Sequence, residues 1–181
     1  AAVTLTARLA QGEATTITDV ASLTINAAST GTTASVGALA LDNADTTSLT
    51  FVGADTAYAL STGAITLSEK VSTISVSSST ASGTVTTGSM VNADSLTSVT
   101  LTAVNANVTT GTIGKTTESD GDANGLETIT ISASGGATAT LGEIWGDSTD
   151  TSSANGGETT ATMTLTSDTS STVVLGKVAM D

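Results

Sequence analysis

The sequence predicts an all-β fold: a parallel β-solenoid (β-helix) of about six to seven coils with a period of about 25 residues. Three observations predict it. A phrase S/T-Φ-S/T-Φ, with Φ apolar, occurs six times, starting at positions 22, 48, 73, 98, 128 and 162. The first three intervals are nearly equal, and the last two are longer. A second phrase, Gly-x-Φ, follows each first phrase at a nearly constant distance. Thr, Ser, Ala and Gly dominate a chain with no proline, cysteine or histidine and three aromatic residues. Such a chain lacks the large side chains of an ordinary core. It can build a narrow aliphatic core if a regular ladder satisfies the backbone polar groups. Mean hydropathy is positive, at +0.24, which argues against disorder despite the low complexity.

The first phrase is Ser22-Leu23-Thr24-Ile25, Ser48-Leu49-Thr50-Phe51, Thr73-Ile74-Ser75-Val76, Ser98-Val99-Thr100-Leu101, Thr128-Ile129-Thr130-Ile131 and Thr162-Met163-Thr164-Leu165. Strict alternation gives each a strand with period two. The apolar residues are expected inside, the Ser and Thr outside. Coil on coil, these strands pair in parallel, about 4.8 Å apart.

The second phrase is Gly37-Ala38-Leu39, Gly63-Ala64-Ile65, Gly88-Ser89-Met90, Gly111-Thr112-Ile113, Gly142-Glu143-Ile144 and Gly176-Lys177-Val178. A glycine recurring between apolar positions predicts a corner where a side chain would clash. Alternation after some of these glycines, as at Leu39 and Leu41 or Ile65 and Leu67, predicts a third short strand per coil. A β-sandwich is the competing architecture, but its strands have no reason to repeat a two-part pattern at one period.

Gly12-Glu13-Ala14 lies one period before Gly37 and reads as the corner of an earlier coil, whose first phrase is expected before residue 1. Neither end reads as a cap. Residues 1–181 are therefore expected to form a single solenoid segment, cut from a longer rod or covered by neighbouring molecules.

The two long intervals place insertions at one corner, between the Gly-x-Φ phrase and the next long strand. One lies within Gly114–Gly125 and the other within Trp145–Glu158. Insertions on one face of a solenoid mark an interaction face. The first carries Asp120, Asp122 and Asn124 in alternation, then Gly125 and Glu127. Alternating oxygen ligands before a glycine resemble the opening of a calcium loop. The twelfth position of such a loop would be Ile131, a core residue, so Glu127 or Glu118 would have to complete the site. The second insertion offers Asp147, Asp150, Asn155 and Glu158 with looser spacing, and earlier corners carry Asp42, Asn43, Asp45, Asn92 and Asp94. Asp, Asn and Gly are also the ordinary residues of a polar turn. The metal expectation thus rests on Asp120, Asp122, Asn124, Glu127, Asp147 and Asp150, with calcium as the ion. Trp145 is expected to pack locally rather than to serve as a ligand platform. Asn107-Val108-Thr109 is a glycosylation sequon, which makes surface glycan an expected partner.

The net charge of −13, with only Arg8, Lys70, Lys115 and Lys177 basic, argues against nucleic acid and against an anionic membrane surface. No apolar run is long enough to cross a bilayer, so membrane insertion is not expected. The absence of cysteine excludes a disulfide framework and a Cys-based zinc site. An acidic, basic-poor chain suits a cation-rich exterior.

The stacked T-Φ-T phrases and the missing cysteine give a chain that resembles the Thr/Ala/Gly/Ser-rich β-solenoids of bacterial surface-layer proteins and type I-secreted repeat proteins. The resemblance covers nearly the whole chain and is architectural. The glycine-rich calcium nonapeptide of that secretion class does not occur here, so none of its calcium positions carries over. The resemblance implies a structural, non-enzymatic, extracellular or cell-surface protein. It would assemble with copies of itself as a layer, filament, matrix or adhesin stalk. Ice binding is an alternative, because the outward Ser/Thr columns form a regular array; mixed Ser and Thr and the bordering Glu127 count against it. A polysaccharide-active enzyme is a third reading, opposed by the lack of any acid–base pair placed by a motif.

Overall fold

The structure, a computed structural model, describes residues 2–7, 10–11, 15–17, 21–27, 34–41, 48–53, 59–68, 70–79, 83–93, 95–114, 125–145 and 162–179. Among these there is no helix, and every strand pairing is parallel. Strands close in sequence lie in different sheets, and each sheet is built by stacking. This fits a β-solenoid.

The first sheet stacks Ala2–Ala7, Ser22–Ala27, Ser48–Gly53, Thr73–Ser78, Ser98–Val104, Thr128–Ser134 and Thr162–Ser167, in chain order. The six phrases stand here in register: Leu23 on Leu49, Leu49 on Ile74, Ile74 on Val99, Val99 on Ile129, and Ile129 on Met163. Burial alternates along the strands as the sequence predicts, with Ile74 and Val76 inside and Thr73 and Ser75 half-buried. Two expected core residues differ. Met163 and Leu165 are 40% and 49% exposed, although Ile129 and Ile131, the residues they stack on, are fully buried. Among the described residues their strand has a neighbour on one side only.

The second sheet stacks Ala10–Gln11, Ala34–Val36, Leu60–Thr62, Val85–Thr87, Val108–Thr110, Thr138–Leu141 and Thr172–Leu175. The third begins with Thr15–Ile17, Leu39–Leu41, Ile65–Thr66 and Met90–Val91. It continues through single bridges of Ile113 to Met90 and to Ile144, and then through Ile144–Trp145 paired with Val178–Ala179. This is the predicted third strand. One buried cluster joins all three sheets, with Leu23 and Leu101 from the first, Leu60 and Val108 from the second, and Ile65 and Ile144 from the third.

Ala2–Ala7 corrects one expectation. The coil holding Gly12 does have its long strand within the chain, because Ala2–Ala7 pairs with Ser22–Ala27 from Ala2↔Ser22 to Ala7↔Ala27. The step from Ala2 to Ser22 is shorter than every later interval, and the strand opens on Ala instead of Ser or Thr. It therefore falls outside both the phrase and its spacing.

The glycine corner has a steric cause. A Cβ on Gly111 would lie 2.6 Å from the Ser89 nitrogen, and one on Gly176 would lie 2.7 Å from the Gly142 carbonyl carbon. Backbone therefore sits directly on backbone, which only glycine allows. The ladder passes through this corner without a break. Ile65, Met90, Ile113 and Ile144 donate their N–H groups to Ser89, Thr112, Glu143 and Lys177 carbonyls at 2.8 Å.

A third corner leads back into the first sheet. Val71, Leu96 and Leu126 stand two residues before successive long strands and are buried to 1% exposure or less. Backbone bonds tie these corners together. The Glu127 N–H donates to Thr97 at 2.9 Å, and Thr162 N–H donates to the Glu127 carbonyl at 2.7 Å.

Candidate functional site

The third corner is where the sequence predicts the acidic loops. Ile113 bridges Ile144, so residues 114 and 145 leave adjacent points of the third sheet. The chain re-enters the first sheet at Thr128 and Thr162, which are paired neighbours. Both insertions therefore start and end beside each other. Of the expected metal ligands, Asp120, Asp122, Asn124, Asp147 and Asp150 lie outside the described residues. Glu127 is described: its side chain is exposed, and its backbone serves the ladder on both sides. Among the described residues no three His, Cys, Asp or Glu side chains form a group fit to hold a metal ion. Asn92, one of the earlier corner residues, adopts φ +62°, the left-handed conformation Asn tolerates in tight turns.

Trp145 marks the edge of the second insertion. Two neighbouring side chains meet its ring. The Lys177 ammonium sits 4.1 Å from the ring centroid, and the indole N–H donates to the Glu143 carboxylate at 3.0 Å. The x positions of the last two Gly-x-Φ phrases supply both partners. Glu143 and Lys177 are thereby neighbours across rungs, with an exposed charge of each sign on either side of a half-buried indole. The sequence carried a signal for this cluster: x is Ala, Ala, Ser and Thr in the phrases from Gly37 to Gly111, and charged only in the two that follow.

The corner between the first and second sheets holds an acidic residue that the sequence reading passed over. Asp168 directly follows the strand Thr162–Ser167. Its carboxylate accepts the Gly135 N–H at 2.8 Å and the Ser170 N–H at 3.0 Å. Hydrogen bonds from the Ser171 hydroxyl first, then from these two N–H groups, hold its pKa down at about 2. Ser171 in turn accepts the Gly136 N–H at 3.0 Å. Gly135 and Gly136 have φ of +68° and +79°, which points their N–H groups at the next rung. At the same corner Asn107, the sequon residue, is exposed and accepts the Thr138 N–H at 2.8 Å.

The outward face of the first sheet is a polar array in register. One column runs Ser22, Ser48, Thr73, Ser98, Thr128, Thr162, and the next runs Thr24, Thr50, Ser75, Thr100, Thr130, Thr164. A third column, Val52, Ser77, Thr102, Ser132, Thr166, was not singled out in the sequence, because its Val breaks the Ser/Thr pattern. No protein-family model, curated protein or solved structure matches the chain.

Proposed function

We propose that this chain is a self-assembling structural segment of a cell-surface layer, extracellular filament or adhesin stalk. It is built as a rod of about six to seven coils with a period of about 25 residues. The observation that carries the reading is the single ladder running through sheets and corners alike. Inward side chains form aliphatic columns, outward ones are short hydroxyls, and the side-chain contacts of Asp168, Asn107 and Lys177 join one rung to the next. The side chains thus serve the stack.

Calcium is part of this proposal. The acidic insertions start and end side by side on one corner, in a chain of net charge −13. Divalent cations held there would offset repulsion within a subunit and between neighbours. Asp120, Asp122, Asn124 and Glu127 are the proposed ligands in the first insertion, Asp147 and Asp150 in the second. Trp145 is the only tryptophan, so its fluorescence reports on the second insertion.

The test is electron microscopy and melting of the purified chain with calcium and with excess chelator. An ordered lattice or filament is expected with calcium, and a lower melting temperature with looser assemblies in chelator. Dispersed single particles in calcium would sink the structural reading. An unchanged melting curve, intact assemblies in chelator and no calcium response of Trp145 would remove the metal from it.

The registered Ser/Thr columns favour ice binding as a second reading. Thermal hysteresis of the dilute chain would establish that activity, and its absence would end the idea.

A further inference from the structure

The first sheet presents an outward face on every rung. Its seven strands stack one-to-one in register, with no residue skipped between neighbours. Three outward columns follow from that register. They run through Ser48, Thr50 and Val52, then Thr73, Ser75 and Ser77, and so on to Thr162, Thr164 and Thr166. None of these residues is charged, in a chain of net charge −13. Charges stand at the rim instead: exposed Glu127 precedes Thr128, and exposed Asp168 follows Ser167.

This face can be covered without stranding a charge. Ser and Thr hydroxyls both donate and accept, so facing hydroxyls satisfy one another. Neighbours within a column already do so: the Ser132 hydroxyl donates to Thr102 Oγ1 at 3.5 Å. The Thr methyl groups and Val52 add apolar area, whose burial is favourable.

Area separates this face from the others. Strands of six or seven residues at about 3.3 Å each, seven of them about 4.8 Å apart, give a face of about 670 Å². Two such faces bury about 1,300 Å², within the range of stable interfaces. The second sheet, with strands of two to four residues, offers about half of that, the size of a weak contact.

A second copy of the chain suits the face by charge and by spacing. Two chains of net charge −13 approach closely only through uncharged surface. An identical stack also has an identical rung spacing. Side chains of one face then fall between those of the other on every rung, as in paired sheets of in-register strands.

We propose that two copies pair face to face through the outward columns of the first sheet, about a two-fold axis. The contact is isologous, the same patch serving on both copies. It uses the side of the stack and not its ends. Ser75 stands in the middle column of the fourth strand of seven, so full overlap brings Ser75 against Ser75. The pairing rests on the self-assembly reading and names the surface that reading uses. It also claims the columns that ice binding would leave to water.

The experiment is sedimentation velocity of the 181-residue chain in moderate salt and chelator, where any calcium contact is silent. Ser75→Lys, Ser75→Asp and Thr86→Lys are run beside it, with circular dichroism and melting to check the fold. The wild type is expected to sediment as a dimer. Ser75→Lys should give a folded monomer, its pairing weakened about tenfold or more by like charges at the centre of the contact. Mixing Ser75→Lys with Ser75→Asp should restore the dimer, which a merely structural role of Ser75 would not do. Thr86→Lys, at an exposed position of the second sheet, should leave the dimer unchanged. A dimer that survives Ser75→Lys, or is lost equally with Thr86→Lys, would overturn the face pairing. So would a monomeric wild type. Ordered assemblies of that monomeric chain in calcium would still uphold self-assembly, and thermal hysteresis lost in Ser75→Lys would assign the columns to ice.

Discussion

The Asp168 carboxylate accepts the Gly135 N–H at 2.8 Å, joining two turns 33 residues apart in sequence. This bond and its companions from Ser170 and Ser171 close the corner between the last two rungs. The Asp168 pKa, about 2, lies below its unfolded value of roughly 3.9. A group depressed on folding contributes stability that is complete above the unfolded pKa and is lost as pH falls through the folded one. Asp168→Ala should therefore lower the melting temperature at neutral pH. The gap from wild type should close between about pH 4 and pH 2, because both forms then lack the charge. The group is fully exposed, so the effect is modest and shrinks with salt. A pH-independent gap would show that the charge does not contribute.

Gly88 stacks on Gly63, and a Cβ there would meet the Gly63 carbonyl and the Ala64 nitrogen. Backbone cannot move aside as a flexible side chain can. Gly88→Ala should cost about 1–3 kcal/mol or more in denaturant unfolding, the range for overpacking a tight site. Ser89→Ala, one residue on and exposed, should cost little. Equal effects of the two would contradict the steric account of the corner.

Thr87 is 2% exposed, and its hydroxyl has no hydrogen-bond partner among the described residues. Its neighbours in the same column differ: Thr62 accepts the Gly88 N–H at 3.2 Å and Thr110 accepts the Gly142 N–H at 3.1 Å. Replacing a buried, unpaired hydroxyl by a methyl of similar shape removes a desolvation cost. Thr87→Val should stabilise by about 1 kcal/mol, seen as a raised denaturation midpoint with unchanged slope. Thr110→Val, which abandons the Gly142 N–H, should destabilise.

The Lys177 ammonium lies over the Trp145 ring. Lys177→Ala should remove about 0.5–1 kcal/mol, as for exposed cation–π pairs. It should also shift the emission of this single tryptophan. Unchanged emission would mean the pair does not persist in solution.

Much of the fold is legible in the sequence because a solenoid writes each local requirement once per rung. Alternation in Thr128-Ile129-Thr130-Ile131 specifies a strand and its faces. The glycine of Gly-x-Φ specifies a backbone-on-backbone corner, and the unequal intervals put both acidic insertions on one corner. The strand Ala2–Ala7 escaped this reading because Ala2 pairs with Ser22, a shorter step than the repeat sets. Val71, Leu96 and Leu126 escaped it because a single inward residue in a turn leaves no periodic signal. Of the candidate site, the placement of the corner and of Glu127 is described, while the remaining proposed ligands lie outside the described residues.

By itself, the sequence determined the strand type, the stacked repeat, the inward and outward faces and the position of the acidic corner. These follow from local alternation, glycine sterics and spacing along one chain. Only the tertiary structure decided which side chains meet across rungs: Asp168 with Gly135, Lys177 with Trp145, Asn107 with Thr138. It also decided that Met163 and Leu165, alike in pattern to buried Ile129 and Ile131, stand exposed. The physical reason is the same for each. Partners far apart in sequence become neighbours only when parallel pairing sets the register at about 4.8 Å per rung, and an inward residue is buried only where another rung covers it.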